Sequence, residues 1–199
     1  RENLIAFGLD VYMLTNQEKI IKTRYIDEKY NQQILRVDNE VRLKPTSYDI
    51  PNDDYDAVVI SDYDKGFITE DIMFNITLNS KCPVFIDSKK TNLPKEGCYI
   101  KINDEEFSKL KNKKDHNNLI VTRGSKGAEY NKVLYPAKKV NVYDVVGAGD
   151  TFLSALVFGY LKFKNIEEAI PLANKASSIA VSHQGTYVLT KEDVNEICN

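Results

Sequence analysis

Val142-Tyr143-Asp144-Val145-Val146-Gly147-Ala148-Gly149-Asp150-Thr151-Phe152-Leu153 reads as a strand end that runs through a Gly-Ala-Gly turn into a helix. The helix is almost wholly apolar (Phe152, Leu153, Ala155, Leu156, Val157, Phe158, Tyr160, Leu161), so it belongs in a core. Small residues at its start let an oxygen-rich group approach the backbone, where the first helical turn offers N–H groups and its positive dipole end. The stretch therefore predicts an anion cradle at Gly147, Ala148 and Gly149, suited to phosphate. Asp150 has two readings. It can cap the helix start, as Asp commonly does. It can also take a proton from a hydroxyl nucleophile while the N–H groups hold charge on a transferred phosphoryl group.

Upstream of this turn, short continuously apolar runs recur, each ending in polar residues. Buried parallel strands have this pattern, and open α/β sheets bind ligands at the C-terminal ends of such strands. A polar loop at 53–56 leads into the run 57–60, which ends at Ser61-Asp62-Tyr63-Asp64-Lys65-Gly66. A helix over 70–79, capped by Thr69, precedes the run 84–86, which delivers Asp87 and Lys89 to the same edge. Asp62 and Asp87 read as loop caps or, with Lys65 and Lys89, as a shared anion or metal neighbourhood. The run 99–102 meets Asn103 and Glu106 at capping-box spacing. The run 119–121 meets the turn Thr122-Arg123-Gly124-Ser125-Lys126-Gly127.

Residues 129–142 predict one or two antiparallel edge strands broken at Pro136. Asn165 and Glu168 have capping-box spacing for a helix that Pro171 should kink or divide. A terminal helix spans 191–199. At the other end, residues 2–14 have weak helical spacing, and alternation over 20–26 and 33–37 predicts a ribbon. Strands alternating with helical spans make the chain α/β, with a mostly parallel sheet between helix layers.

With 199 residues, 42% of them hydrophobic, the chain can bury one sizeable core. A net charge of -2 gives no field favouring nucleic acid or a membrane surface. The basic run 109–114 reads as a solvated helix end or loop. Three cysteines, Cys82, Cys98 and Cys198, lack metal-site spacing and read as reduced thiols of a cytoplasmic protein. The longest apolar run, 152–161, is too short for a bilayer, which takes roughly 20 residues; no signal-peptide pattern opens the sequence.

Asp144 to Leu156 resembles the C-terminal motif of the PfkB/ribokinase family of carbohydrate kinases, D-T/V-x-G-A-G-D-x-F. The resemblance implies a ribokinase-like three-layer α/β/α sandwich with part of a small β lid. It implies Asp150 as catalytic base and Gly147, Ala148 and Gly149 as anion hole, although Val146 stands where relatives often carry Thr. Further matches follow the family order. Lys22-Thr23-Arg24 and Asn31-Gln32-Gln33-Ile34-Leu35-Arg36-Val37-Asp38 resemble the K-x-R and N-Q-Q-x-x-R-x-D of the heptose 7-phosphate kinases, where such a ribbon is a sugar lid and dimer contact. Ser61 to Gly66 resembles that branch's S-D-Y-x-K-G, and Asp87 to Lys89 its D-P-K, with Ser88 for Pro.

Asn103 and Glu106 resemble N-x-x-E, with Ile102 for the preceding Pro, and Thr122, Gly124 and Gly127 resemble the nucleotide turn T-x-G-x-x-G. The resemblance also implies adenine near Asn174, a closing turn at Gln184-Gly185-Thr186, and sugar-side contacts from Asp62, Lys65, Asp87, Lys89, Gln33 and Arg36. Implied cofactors are ATP and Mg2+, the latter held by Glu106 through water, with a monovalent cation as a further candidate. Implied partners are a sugar phosphate and a second copy of the chain through the lid.

The match treats 1–199 as the C-terminal two thirds of such a kinase domain, with 18–40 as lid ribbon. The family's first strand with G-D-x-x-x-D, and its G-G-x-x-x-N segment, have no counterpart here. Three functions stay open: a heptose 7-phosphate kinase, another carbohydrate kinase of the family, and a nucleotide-binding remnant without catalysis. Without the sugar-gripping segments, the expectation for the isolated chain is nucleotide binding and no sugar kinase activity.

Overall fold

The computed structural model describes residues 1–30, 32–47 and 54–199; Asn31 and Asp53, which carry parts of the ribbon motif and the polar loop, lie outside them. The chain opens with a short helix, α1 (Glu2–Ala6), so the helical spacing over 2–14 is realised only in its first turns. An antiparallel ribbon follows, β1 (Ile21–Asp27) and β2 (Gln32–Asn39), with an irregularity between Tyr25 and Ile26.

The remaining six strands of the described residues form one sheet whose order is the chain order: β3 (Val58–Asp62), β4 (Val84–Ser88), β5 (Cys98–Asn103), β6 (Leu119–Thr122), β7 (Ala128–Tyr130) and β8 (Val133–Tyr135). β3 through β6 are parallel, and β7 and β8 run antiparallel to their predecessors. Alternation sorts their side chains onto two faces. Ile60, Val84, Ile86, Ile100, Ile102 and Val121 pack on one side with Met73 and Ile76 of α2 (Glu70–Asn79) and with Phe107 of α3 (Asp104–Lys109). Phe85, Tyr99, Ile120 and Tyr130 pack on the other, under α4 (Ala148–Phe163), α5 (Ile166–Val181) and α6 (Lys191–Cys198). The result is the three-layer α/β arrangement expected from the alternating pattern.

Caps set most helix boundaries. Thr69 accepts from the Ile72 N–H, and Thr190 and Asp193 form a capping box. Asn165 instead accepts from the Glu167 N–H and donates to the Glu168 side chain, so the box expected there is incomplete. α5 runs unbroken through Pro171, because its buried residues lock it onto α4. Where those helices meet, a Cβ on Gly159 would lie 3.0 Å from Ala169, which accounts for the small residues by close packing. Pro136 does not separate the edge strands: Asn131 and Lys132, both with positive φ, make that turn, and Pro136 follows β8.

Three cysteines are free. Burial pushes the Cys98 thiol up to about 12, which leaves it unreactive. Among the described residues no helix is long and apolar enough to cross a membrane.

Candidate active site

Strand register gathers the predicted groups along the C-terminal edge of the sheet. Asp62 stands opposite Ser88, Asp87 opposite Lys101, and Asn103 opposite Thr122. Beyond this edge lies the start of α4. Its N-cap is Gly147 at φ 78, a left-handed conformation that disfavours a Cβ, and a glycine brings no side chain to occupy the first turn. Asp144 holds the turn in shape: one oxygen accepts from the Val146 N–H at 3.0 Å and the other from the Gly185 N–H at 3.1 Å. The turn at Gln184-Gly185-Thr186 is thus joined to the Gly-Ala-Gly turn, with Thr186 packed against Gly147.

Asp150 lies in the first turn of α4 and is exposed. Across the gap from β3, the Tyr63 hydroxyl donates to its carboxylate, at 3.2 and 3.1 Å from the two oxygens. The burial of part of the ring, and then the Asp150 carboxylate, hold the Tyr63 phenol well above its ordinary range, so it stays a donor at neutral pH. Lys89 and Lys22 flank the same ring, at 5.2 and 5.9 Å from its centroid. Lys22 also pairs with Glu40, which binds Lys65, so the ribbon is tied to the site through Lys22 and Glu40. Gln33 and Arg36 are exposed on β2, with Arg36 paired to Asp38 at 3.0 Å.

The two strand-end aspartates differ. Asp62 is buried and internally satisfied: it accepts from Ser88 Oγ at 2.7 Å and the Asp64 N–H at 3.0 Å, and it pairs with Lys90 at 3.0 Å. It therefore holds β3 to β4. Asp87 pairs with Lys101 Nζ at 2.6 Å. Burial pushes the Asp87 carboxyl up against the pull of Lys101, and the charges of Glu106 and Asp150 push the same way.

Asn103 and Glu106 form a complete capping box at α3, each side chain and backbone N–H meeting at 2.9 Å. Arg123 ties this helix start to the neighbouring turn, binding Asp104 and, at 3.1 Å, Glu129. Gly124 is exposed at the tip of that turn, whereas Gly127 is buried against the backbone after β8. Asn174 is buried, its Nδ2 donating to the Tyr135 carbonyl at 2.8 Å, so its amide fastens α5 to the end of β8. Among the described residues no three His, Cys, Asp or Glu side chains make a metal cage. Mg2+ needs none when phosphates and waters fill most of its shell, and Glu106, with one oxygen engaged by Asn103, fits that part.

Tyr63, Lys90, Lys101, Arg123 and Asp144 thus belong to the site or its frame, although the sequence assigned none of them a role and Tyr63 and Asp144 entered only as letters of matched motifs. Each works through a partner set by strand pairing or loop closure.

The pfkB family carbohydrate kinases, as a family profile, match residues 90–193. Among curated proteins, the chain is 34% identical to "Bifunctional protein HldE" of a Nitratiruptor species, covering 95% of this chain and 47% of that protein. It is 31% identical to the protein of the same name from Pasteurella multocida, with 95% and 47% covered. The chain therefore spans about half the length of the curated relatives it matches. Among solved structures, a ribokinase from Thermotoga maritima superposes with a TM-score of 0.58 at 22% identity, covering 71% of this chain and 56% of that one. An Arabidopsis thaliana ribokinase complexed with ribose and ATP gives 0.58 at 21%, covering 71% and 55%. These likenesses establish a ribokinase-like fold, and with the family match over more than half of its length the chain belongs to the pfkB family of carbohydrate kinases.

Proposed function

We propose that this chain supplies the nucleotide site and catalytic base of an ATP-dependent kinase that phosphorylates a sugar or sugar-phosphate hydroxyl, with heptose 7-phosphate as the acceptor. The observation that carries the reading is Asp150. It sits in the first turn behind the open Gly147-Ala148-Gly149 start, and a hydroxyl, that of Tyr63, already reaches both of its oxygens. An acceptor hydroxyl in that position gives its proton to Asp150, its oxygen bonds to the γ-phosphorus, and the bond to the bridging oxygen breaks to release ADP. N–H groups of the first turn face the charge that develops on the transferred group.

Asn103, Glu106, Thr122 and Gly124 share the neighbouring edge, a place suited to the nucleotide phosphates. Mg2+, with Glu106 reaching it through water, neutralises phosphate charge when bound. Asp87, Lys89 and Lys65 face the acceptor side. The heptose assignment rests on likeness to the relatives named HldE and on the ribbon motif. That ribbon exposes Ile21, Tyr25, Ile34, Leu35 and Val37, a surface suited to a second copy of the chain.

The test uses the full-length protein with a panel of sugar phosphates. ADP release is expected with heptose 7-phosphate, and Asp150→Asn should lower turnover by about 10²- to 10⁴-fold while leaving Mg·ATP affinity unchanged. Turnover retained within a few-fold in that variant would reduce Asp150 to a helix-dipole partner. Faster turnover of another sugar would move the acceptor assignment within the family.

A further inference from the structure

From the Asp87–Lys101 pair we infer that Lys101 is a phosphate-contacting residue, whose ammonium completes the anion hole from beneath the Gly147-Ala148-Gly149 turn. The inference rests on the kinase reading of that turn. Lys101 lies on β5, on the sheet face covered by α4, and is only 5% exposed. Its Nζ would stand 2.7 Å from a Cβ on Gly149, so the missing side chain at Gly149 is the space that the ammonium fills. Any larger residue there would displace the charge from the turn.

An ammonium carries three donors. One is directed at Asp87 Oδ2, 2.6 Å away. A purely structural buried pair is no better for a fold than a well-packed apolar pair. This pair instead stands beside the place where anionic charge would arrive, and its positive end is the one that touches the turn. The N–H groups of Gly149 and Asp150 and the ammonium of Lys101 then converge on one anion from two sides. Asp87, with Glu106 and Asp150 close enough to push its carboxyl upward, keeps the lysine oriented while the site is empty and yields it to a phosphate oxygen when the nucleotide binds. Charge-assisted bonds of this kind are the stronger ones, and as a point charge lysine tolerates the change in angle.

Calorimetry of Mg·ATP and of pyrophosphate on the protein and two variants separates this role from a structural one. In Lys101→Met the affinity for both probes should fall by about 10- to 100-fold, the loss expected for a charged hydrogen bond. That variant also strands Asp87, so Asp87→Asn/Lys101→Met is made as a neutral pair. Its melting temperature should recover while its affinity stays low, although removing an acid beside a phosphate would by itself favour binding. Recovery of wild-type affinity in the double variant would overturn the inference, because Lys101 would then only neutralise Asp87. Unchanged affinity in Lys101→Met would overturn it too, with the kinase reading intact. Failure of the unaltered protein to bind either probe would overturn both.

Discussion

Replacing Gly127 by alanine should break the fold at the edge proposed to bind nucleotide, and the size of the effect follows from the local geometry. Gly127 has φ 102, a conformation that L residues rarely adopt. A Cβ there would lie 2.1 Å from the Tyr135 carbonyl oxygen, 2.6 Å from the Ala137 nitrogen and 2.8 Å from the Pro136 carbonyl carbon. All three are backbone atoms at the end of β8, so no rotamer change relieves the overlap. Backbone strain of this kind costs about 1–3 kcal/mol. Forcing packed backbone apart adds about 1–3 kcal/mol more. The sum, about 4 kcal/mol, is a large part of the roughly 5–15 kcal/mol that holds a domain together. Gly124, three residues earlier, is the internal control. Its φ is 56, but a Cβ there meets nothing within 4 Å, so Gly124→Ala should cost only about 1–2 kcal/mol. Urea unfolding followed by circular dichroism measures both, since the chain has no tryptophan to report by fluorescence. Two variants unfolding within about 1 kcal/mol of each other would refute the steric argument. Because Gly127 is needed for the fold, loss of ATP binding in that variant says nothing of a direct contact, whereas Gly124 can be tested cleanly.

Two pH effects follow from partly buried rings. The His116 Nδ1 is buried and has no hydrogen-bond partner among the described residues, and burial, then Lys95, lower its pKa against the opposing pull of Asp115 and the Pro94 carbonyl. The unfolded chain takes up the proton first, so stability present above the ordinary value of 6.5 is lost as pH falls through the lower folded value; His116→Gln should flatten this slope in urea titrations between pH 7.5 and 5. A slope equal to the wild type's would refute that assignment. The Tyr63 phenol is shifted the other way, so the unfolded chain ionises first and stability falls as pH rises above 10; Tyr63→Phe should remove part of that loss in alkaline melting curves, and identical curves would show that the hydroxyl is not held by Asp150 as described.

Local chemistry was legible in the sequence, and long-range pairing was not. Thr69 before an amphipathic run, and Asn103 with Glu106 three residues on, are caps because the hydrogen bonds join neighbours in the chain, and both form as read. The short apolar runs announced a parallel sheet, because strands buried on both faces cannot carry polar residues until they reach an edge. Lys101 looked like one more residue of a strand. Its meaning depends on register with Asp87, 14 residues away, and on the approach of Gly149, which no periodicity encodes. Tyr63 and Asp150, 87 residues apart, meet only after the helix layer closes on the sheet. Arg123 joins an α3 carboxylate to one on β7, a link visible only once β5, β6 and β7 lie side by side. Pro171 does not divide α5 for a related reason: the loss of one backbone bond is outweighed by the packing of Ala169, Ile170, Leu172 and Ala173.

The sheet order β3-β4-β5-β6-β7-β8, with every strand beside its successor in the chain, bears on how the protein is made. As the polypeptide leaves the ribosome, each new strand finds its neighbour already waiting, and no strand has to be inserted between two that have paired. Pairing each strand with its immediate successor limits the chain entropy lost at each closure. The two faces do not mature together. α2 and α3 emerge between the strands that they cover, whereas α4, α5 and α6 come last. Until they arrive, Phe85, Tyr99, Ile120 and Tyr130 stand on an apolar face that the chain has yet to cover, the stage at which aggregation competes with folding.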